Sequence, residues 1–327
     1  LHEDRLDIDL VERLARARPD LQVTLVGPDA LAPASRTRLT AHTNVHLLGA
    51  RPYDAVPGYL QHANVVIVPH VVSAFTESLD PIKAYECLAV GRTTVATPVA
   101  GFRGLPDPIR TADRDTWVAA VLEAADHPTG YRPVRPPSWA ERAGEFDDEL
   151  NRARTAGPPT ATSVRRVVFV DHCAQPSGAE LALVRVLPGL TAVEPHVILG
   201  EHGPLERRLA DAGIAHEVLP IAPALARTRR ADLSRTFADR HRLEGAIKAV
   251  WALQHRFREL RPDIVHTNSL KAAVYGGIAG RMVGIPVVWH LRDRIAPDYL
   301  PRSAVRAITA LARVVPRAII ANSHATL

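Results

Sequence analysis

Through residues 7–126, short apolar runs alternate with stretches of mixed polarity. The runs are rich in branched side chains and have the length of buried strands. In residues 7–18, Leu10, Leu14 and Ala17 fall on one helical face. The pattern predicts strands at 22–27, 44–49, 65–69 and 93–97, and helices at 7–18, 54–62, 81–90 and 115–126. Strands separated by single helices indicate a parallel, doubly wound α/β sheet.

The same alternation starts afresh in the second half. It predicts strands at 165–171, 195–200, 216–221, 263–268, 286–293 and 317–323, and helices at 178–187, 204–212, 230–260, 269–283 and 302–313. The halves share this layout without obvious sequence similarity. The chain therefore reads as two α/β domains of the same general kind.

A boundary between the two halves is visible in the local composition. Ser138 and Glu141 have the spacing of a capping box and open a charged helix that reaches about Arg154. Residues 155–163, TAGPPTATS, have the composition of a linker. We therefore predict a first domain at 1–154, a linker at 155–163 and a second domain at 164–327.

Composition narrows the classes of partner. The 327 residues are 46% apolar, which is enough for two packed cores. The net charge of +5 is carried almost wholly by arginine, which suits phosphate groups and anionic membranes, although a GC-rich coding bias is the simpler source. Aromatic residues make up only 5% of the chain, which argues against a nucleic-acid partner held by base stacking.

The two cysteines point away from a metal site. Neither Cys87 nor Cys173 has neighbours at zinc-ligand spacing, so we expect no metal. The low cysteine count fits a reducing compartment. The sequence shows no signal peptide and no long apolar run. We expect a cytoplasmic protein.

Residues 76–102 carry the clearest local signal. A polar loop follows the strand at 65–69, and the next helix is well punctuated: Asp80 is a good N-cap, Pro81 suits the first helical position, and Gly91 suits the stop. This places a helix N-terminus at the carboxyl end of a buried parallel strand. Open α/β sheets bind ligands there, and helix N-termini favour phosphate.

Polar residues end several strands of the second half: Asp171 and His172, Asn268 and Ser269, His290 to Asp293, and Asn322 and Ser323. One such ending is usually a helix cap, whereas four together predict a site. The small residues in the loop 175–180 would let backbone amides approach an anion. His290 is either a catalytic or substrate-orienting group or a strand-end histidine paired with Asp293.

Three glycines in the predicted helix at 269–283 superficially suggest a dinucleotide motif. Gly276, Gly277 and Gly280 lie inside that helix rather than at its start. Close packing of the helix on its neighbours is therefore the favoured interpretation.

Several motifs resemble retaining glycosyltransferases of the GT-B type in family 4, also called group 1. In the first half they are SLDPIKAYECLAVGRTTVATPVAGF, LVGP at 25–28 and NVHLLGARPYDAVPGYL at 44–60. In the second half they are VVFVDHCAQPSGAELAL, HTNSLKAAVYGG, VVWHLRD and IIANSHAT. The resemblance implies two Rossmann-like domains facing across a cleft. Residues 1–150 look like the domain that binds the nucleotide-sugar donor, and 164–327 look like the acceptor-side domain.

The resemblance also implies roles for residues in the donor half. Glu86 matches the second glutamate of the family's E-x7-E motif, which holds the donor ribose; the alternative is a surface pair between Lys83 and Glu86. The first glutamate position falls on Ser78, with Glu77 one residue off. The backbone amides of Leu79 and Asp80 would lie near the diphosphate, and Lys83 is a further donor-binding candidate.

Further candidates follow from the same matches. Gly27, Pro28 and Arg51 match loops around the nucleotide base. Arg5 stands at the position of a lysine that stabilises the leaving diphosphate, and His290 matches a histidine that faces the cleft. The loop of Ser177, Gly178 and Ala179 matches a small-residue loop of the acceptor-side domain.

The order of the two halves is the reverse of the order in the family. Two fused enzymes, the end of one followed by the start of another, would explain this order, as would a circular permutant. The donor half also lacks a strand before the helix at 7–18. We expect the chain alone to have weak activity or none.

The implied activity is sugar transfer with retention from a UDP- or GDP-sugar to a glycan or lipid-linked acceptor, in cell-envelope or exopolysaccharide synthesis, with no cofactor and no metal. The alternatives are a UDP-sugar epimerase of the same fold and a non-catalytic nucleotide-binding fragment.

The arginine-rich segment 227–261 raises the question of membrane contact at the inner face. Its apolar residues are Leu233, Phe237, Leu243, Ile247, Trp251 and Phe257. These side chains could rest on an anionic membrane. The favoured alternative is a helix that packs its apolar stripe on its own domain.

Overall fold

The computed structural model describes residues 1–77, 79, 81–153, 164–220, 240–292, 294–297 and 300–321, with backbone only at 240–243. The chain divides into two compact units, Leu1–Pro136 and Pro137–Leu327. Both units are built from parallel strands and helices. The predicted α/β class is therefore confirmed.

The first unit contains every strand and helix that the sequence predicts between residues 7 and 126. Its strands are β1 (Val23–Val26), β2 (Val45–Gly49), β3 (Val66–Val68), β4 (Thr94–Ala96) and β5 (Ile109–Thr111). Its helices are α1 (Ile8–Ala17), α2 (Pro33–Thr40), α3 (Val56–His62), α4 (Ala74–Glu77), α5 (Ile82–Val90) and α6 (Trp117–Asp126), with a 3-10 turn at Tyr53–Ala55 before α3. The sequence did not predict α2, α4 or β5.

The strands of the first unit form two separate parallel sheets. One pairs β1 with β2 and the other has the order β3-β4-β5. Both sheets contribute to one core, in which Leu10, Val95 and Trp117 are fully buried. The sequence predicted a single sheet. In the part of the unit that the structure describes, β1 and β3 do not pair, so the strands form two sheets instead.

Helix α5 begins one residue later than predicted. Its first residue is Ile82, and Pro81 is the N-cap rather than the first helical residue, without a side-chain cap. Asp80, the predicted cap, lies outside the described residues. The predicted stop at Gly91 is confirmed, because this glycine adopts a left-handed φ of 73° at the end of the helix.

The second unit is a doubly wound parallel sheet with its helices. The strands are β6 (Arg165–Asp171), β7 (Val193–Leu199), β8 (Ala215–Val218), β9 (Ile264–Thr267), β10 (Val287–Leu291) and β11 (Ala318–Ala321). The helices are α7 (Trp139–Arg152), α8 (Gly178–Val186), α9 (Pro204–Asp211), α10 (Arg240–Leu260), α11 (Leu270–Met282) and α12 (Arg302–Val314). The order is β8-β7-β6-β9-β10-β11, all parallel, and it reverses direction between β6 and β9.

The glycines of α11 allow this helix to lie against the sheet. A Cβ atom added at Gly277 would lie 2.5 Å from Nε1 of Trp289, and one at Gly280 would lie 2.8 Å from a methyl carbon of Val287. The prediction that these glycines serve close packing is therefore confirmed.

Helix α7 belongs to the second unit, although the sequence assigned it to the first domain. The predicted capping box of Ser138 and Glu141 opens it. Ala143 and Leu150 are fully buried in the core of the second unit. The boundary at 155–163 was predicted from local composition. The helix, however, packs in the core that buries its apolar face, and this core belongs to the second unit. The division between compact units falls instead after Pro136. The predicted linker lies outside the described residues.

Candidate functional site

The carboxyl end of β3 brings an N-terminal segment beside the predicted donor loop. The amide of Val71 donates to the Arg5 carbonyl at 2.8 Å, and the amide of Asp7 donates to the Pro69 carbonyl at 2.8 Å. The Arg5 guanidinium lies 5.2 Å from the centroid of the Phe75 ring. These two backbone bonds, one made by Arg5 and one by Asp7, hold Arg5 at the end of the strand that precedes α5.

Lys83 and Glu86 lie on the first turns of α5. Burial first, and then the positive charge of Arg5, lower the pKa of the Lys83 ammonium, while Glu86 acts in the opposite direction. The Lys83 residue is exposed at the surface. Neighbouring atoms nevertheless displace water from around its ammonium group, and this desolvation lowers its pKa. Arg5, Lys83 and Glu86 therefore interact electrostatically, with two cations and one carboxylate.

The Glu86 carboxylate has a specific partner from another segment. The Tyr53 hydroxyl donates to Oε1 of Glu86 at 3.1 Å. Tyr53 lies in the 3-10 turn that follows β2, and α3, directly after it, contacts α5. Glu86 thus pairs with a tyrosine 33 residues away. The electrostatic interaction of Lys83 with Glu86 leaves the predicted alternative, a surface pair of these two residues, open beside this bond.

His70 also belongs to this group. It lies two residues after the end of β3, is buried, and its Nδ1 has no hydrogen-bond partner. Burial, followed by the charges of Lys83 and Arg5, lowers the pKa of His70 to about 4. The imidazole is therefore neutral at pH 7. The sequence analysis missed His70, although a polar residue right after a buried strand was a usable signal.

The loop before α5 is tightly packed. The Leu79 amide donates to the Thr76 carbonyl at 3.3 Å, so this N–H, expected near a diphosphate, is engaged within the chain. A Cβ atom at Gly101 would lie 2.2 Å from Cδ of Pro81 and 3.0 Å from the Leu79 carbonyl oxygen. Gly101 therefore lets the loop after β4 press on the donor loop. Ser78 and Asp80 lie outside the described residues.

The predicted base-binding residues follow two neighbouring strands. Gly27 and Pro28 come directly after β1, and the Gly27 amide donates to the Gly49 carbonyl at 3.0 Å. Arg51 follows β2, and its Nε donates to the Tyr59 hydroxyl at 3.2 Å. These loops share the carboxyl edge of the β1–β2 sheet. Their role around the nucleotide base stays a prediction.

In the second unit, three polar side chains meet where the strand order reverses. The Asn268 amide donates to Oδ2 of Asp171 at 2.6 Å, and Nε of Arg292 donates to Oδ1 of Asn268 at 3.1 Å. Asp171 and Asn268 are fully buried. Ser269 is both an N-cap of α11 and a partner of His172, whose Nδ1 lies 2.7 Å from its hydroxyl. Ser269 therefore caps α11 and also belongs to the group of polar side chains at the ends of the strands.

The small-residue loop adjoins this cluster. Ser177 caps α8 through reciprocal bonds with Glu180, its amide donating to Oε2 at 3.2 Å. Gly178 is the first residue of α8. The carbonyl of Ala179 accepts a bond from Asn268 at 3.4 Å. The hydroxyl of Ser177 is thus used within the chain.

A cavity of about 250 Å³ opens beside Asp171. It lies between the ends of β6, β7 and β8 and helix α10. Its wall is mainly aliphatic, with Ile198, Leu219 and Leu253, and Lys248 supplies a positive charge. The cavity is compact enough for one small group of a larger ligand.

His290 lies apart from the loop at 177–179. Its ring centroid is 5.4 Å from that of His266 and 5.9 Å from that of Phe146 on α7. Burial, followed by the charge of Arg292, lowers the pKa of His290 well below its usual range. A neutral imidazole can donate one hydrogen bond and accept one, but it carries no charge. Asp293, its possible partner, lies outside the described residues.

The described residues contain neither a candidate metal cluster nor a candidate membrane-spanning helix. Among them, no group of three or more histidine, cysteine, aspartate or glutamate side chains could hold a metal ion. No helix in this part of the chain has the length and apolar character needed to cross a membrane.

Two sequence families match the chain. Residues 6–127 match the family described as glycosyl transferases group 1, and residues 204–327 match Glycosyltransferase Family 4. Together the matches span about three quarters of the chain. The chain thus contains one group 1 and one family 4 glycosyltransferase domain.

The two family matches include most of the candidate residues. Lys83, Glu86 and Tyr53 fall in the group 1 match, and Asn268 and His290 fall in the family 4 match. The loop at 177–179 falls between the two matches.

Individual glycosyltransferases resemble parts of the chain. TuaH of Bacillus subtilis (strain 168), assigned to teichuronic acid biosynthesis, is 31% identical over 154 residues, which are 46% of this chain and 36% of TuaH. Anabaena HepE, solved with UDP and glucose, is 25% identical with a TM-score of 0.37, over 50% of this chain and 39% of that one. Glycyrrhiza uralensis UGT73P12 is 19% identical with a TM-score of 0.25, over 39% and 28%. The chain thus spans less than half the length of each of these proteins.

Proposed function

We propose that this glycosyltransferase transfers a sugar from a UDP- or GDP-sugar, with retention, to a glycan or lipid-linked acceptor of the cell envelope or an exopolysaccharide. The observation that carries the proposal is the group at the end of β3. There a carboxylate held by Tyr53 lies on the same helix as Lys83, and Arg5 lies nearby. The likeness to TuaH supports a role in cell-envelope polysaccharide synthesis.

The diphosphate, the ribose and the base of a nucleotide sugar each have a proposed counterpart in the first unit. Lys83 and Arg5 would meet the diphosphate and stabilise the negative charge that develops as the sugar leaves. Glu86 would accept hydrogen bonds from the ribose hydroxyls. The loops of Gly27, Pro28 and Arg51 would surround the base. A bound diphosphate would also favour the charged form of Lys83, whose pKa is lowered in its absence.

The acceptor is proposed to bind in the second unit. Asp171, Asn268 and Arg292 line the place where the strand order reverses, which is where open parallel sheets bind ligands. The adjacent cavity with Lys248 would take a small group of that acceptor. Hydroxyl groups of a sugar would suit the carboxylate and amide there.

Peripheral contact with the inner face of a membrane remains part of the proposal. On α10, Leu253 and Phe257 are buried, as the favoured alternative expects, but Ile247 and Trp251 are 50% and 67% exposed. Tryptophan is well suited to the membrane interface. The chain should sediment with anionic vesicles, and Trp251→Ser should reduce the bound fraction. Equal sedimentation of both proteins would contradict contact through this face.

Donor binding is the direct test of the proposal. Titration calorimetry with UDP and GDP should show binding of at least one of them by the chain. Glu86→Gln should weaken it about ten- to a hundredfold, because a charged hydrogen-bond acceptor is lost. Glu123→Gln, the same change on the exposed face of α6, should leave affinity unchanged. Failure of the chain to bind either nucleotide would refute the donor-site assignment.

Product analysis separates the competing activities. Incubation with a UDP-sugar and no acceptor should leave the sugar unchanged. An isomerised UDP-sugar would instead identify an epimerase. We expect little sugar transfer by this chain alone, and clear transfer would favour the circular permutant over two fused enzymes. Binding without any turnover in a longer protein would favour the non-catalytic alternative.

A further inference from the structure

Tyr53 reaches the candidate ribose-binding carboxylate from a separate loop. Its hydroxyl donates to Oε1 of Glu86 at 3.1 Å, while 67% of the residue remains exposed. The tyrosine is therefore bonded at its tip and accessible along much of its ring. Such a residue combines a fixed hydroxyl with surface that a ligand can contact.

The loop that carries Tyr53 is itself held in place. Arg51, two residues earlier, bonds to the Tyr59 hydroxyl at 3.2 Å and to the Ala50 carbonyl at 3.1 Å. The turn at Tyr53–Ala55 leads directly into α3, which contacts α5. Both ends of the Tyr53–Glu86 bond are thus anchored by packed elements.

We propose that Tyr53 is a positioning residue of the nucleoside-binding site, orienting the Glu86 carboxylate toward the ribose hydroxyls. This inference rests on the proposed ribose-binding role of Glu86. A carboxylate has about four lone-pair sites. The Tyr53 bond uses one of them on Oε1, so Oε2 keeps both of its sites for a ligand.

The bond matters because a glutamate side chain on a helix surface is otherwise free to rotate. Ordering such a side chain when a ligand binds costs affinity. A carboxylate that Tyr53 already orders avoids part of that cost. Loss of the tyrosine hydroxyl should therefore weaken only those ligands that use the Glu86 carboxylate.

The test compares two ligands and two variants by calorimetry. The ligands are the nucleoside diphosphate that the wild-type chain binds more tightly, of UDP and GDP, and its 2′,3′-dideoxy form. Tyr53→Phe removes the hydroxyl and keeps the ring. It should weaken the ribose ligand about three- to tenfold, the effect of one hydrogen bond. It should leave the affinity for the dideoxy ligand unchanged.

Tyr131→Phe is the matched control. The Tyr131 hydroxyl donates to the Gln61 carbonyl at 2.7 Å and accepts from Arg92 at 2.8 Å rather than bonding to Glu86, so this change should affect neither ligand. In a Glu86→Gln background, Tyr53→Phe should cause no further loss, because the carboxylate it orients is gone. Circular dichroism checks that each variant is folded.

The outcomes separate this inference from the proposed function. Failure of Glu86→Gln to affect the ribose ligand refutes the role of Glu86 and, with it, this inference. A Glu86-dependent affinity that Tyr53→Phe leaves intact refutes the positioning role alone. An equal loss for the ribose and dideoxy ligands also refutes it, because a general effect on the loop would then be responsible.

Discussion

Glu77 and Arg103 form a two-bond ion pair at the edge of the candidate donor site. Nη1 of Arg103 lies 2.8 Å from Oε1 of Glu77, and Nη2 lies 2.6 Å from Oε2. The bond to Glu77 is also the main cause that raises the pKa of Arg103. The pair joins α4 to the loop after β4. Glu77 is the glutamate nearest to Ser78, which stands where the family motif has a glutamate. Both carboxylate oxygens of Glu77 therefore accept hydrogen bonds from Arg103.

This pairing predicts a structural rather than a donor-binding role for Glu77. Glu77→Gln should lower the free energy of unfolding by no more than about 1 kcal/mol, since the pair is partly exposed. It should change the affinity for a nucleotide sugar less than twofold. Urea unfolding and calorimetry measure the two effects. Arg103→Gln should reproduce both, whereas a large loss of sugar-nucleotide affinity in Glu77→Gln alone would show that Glu77 contacts the donor.

Gly91 predicts a strong backbone effect at the end of α5. Its φ is +73°, and a Cβ atom there would lie 2.3 Å from the Pro133 nitrogen. Gly91→Ala should therefore destabilise the first unit by more than the roughly 1 kcal/mol expected for a left-handed residue alone. Hydrogen exchange across α5 and β4 should report the loss of protection.

Gly104 supplies the matched comparison for Gly91. It has the same φ of +73°, but a Cβ atom there would meet nothing within 4 Å. Gly104→Ala should lower the stability of the first unit only by the roughly 1 kcal/mol that a left-handed backbone conformation costs an alanine. Equal losses of protection in the two variants would show that the contact with Pro133 has no effect.

Leu150 tests the assignment of α7 to the second unit. This side chain is fully buried in the core that contains Val167 and Leu187. Leu150→Ala should cost about 2–5 kcal/mol, and hydrogen exchange should accelerate in β6 and β7 rather than in β3 and β4. Glu149→Ala, on the same helix and partly exposed, should change exchange little. Faster exchange confined to the first unit would support the boundary at 155–163 instead.

His266 predicts how the stability of the second unit depends on pH. Burial lowers its pKa to about 3, and its ring lies among Phe146, Phe169 and His290, with the positive charge of Arg292 nearby. The unfolded chain binds this proton near pH 6.5, whereas the folded unit does not. His266 should therefore lower the free energy of unfolding as the pH falls below 6.5, and its one proton contributes at most about 1.4 kcal/mol per pH unit.

His266→Phe should make this pH dependence shallower, because phenylalanine binds no proton and suits the aromatic surroundings. The free energy of unfolding of the second unit between pH 7 and 4 is the quantity to measure. His255→Gln, on the exposed face of α10, controls for the loss of a histidine. An unchanged slope in His266→Phe would mean that His266 does not cause the acid sensitivity.

Much of the fold was predictable because its signals are local. The period of apolar residues located β6 to the residue and most other strands to within one or two residues. The capping box at Ser138 and the helix stop at Gly91 also depend on residues only a few positions apart. Short strands and helices without such signals, namely β5, α2 and α4, were missed.

Much less of the candidate site was predictable. Glu86 was identified by its resemblance to a family motif, but its partner Tyr53 lies 33 residues away. His70 was overlooked because its chemical character comes from burial and from Lys83 and Arg5, which no local pattern encodes.

By itself, the sequence determined that this protein has two α/β units and a helix with a lysine and a carboxylate after a buried strand. Local periodicity, capping and backbone sterics act within a few residues, so they can be read along the chain. Only the tertiary structure decided that α7 packs in the core of the second unit, that Tyr53 bonds to Glu86 and that Arg103 pairs with both oxygens of Glu77. These outcomes depend on which distant surfaces are buried against each other, and that is settled by packing rather than by neighbouring residues.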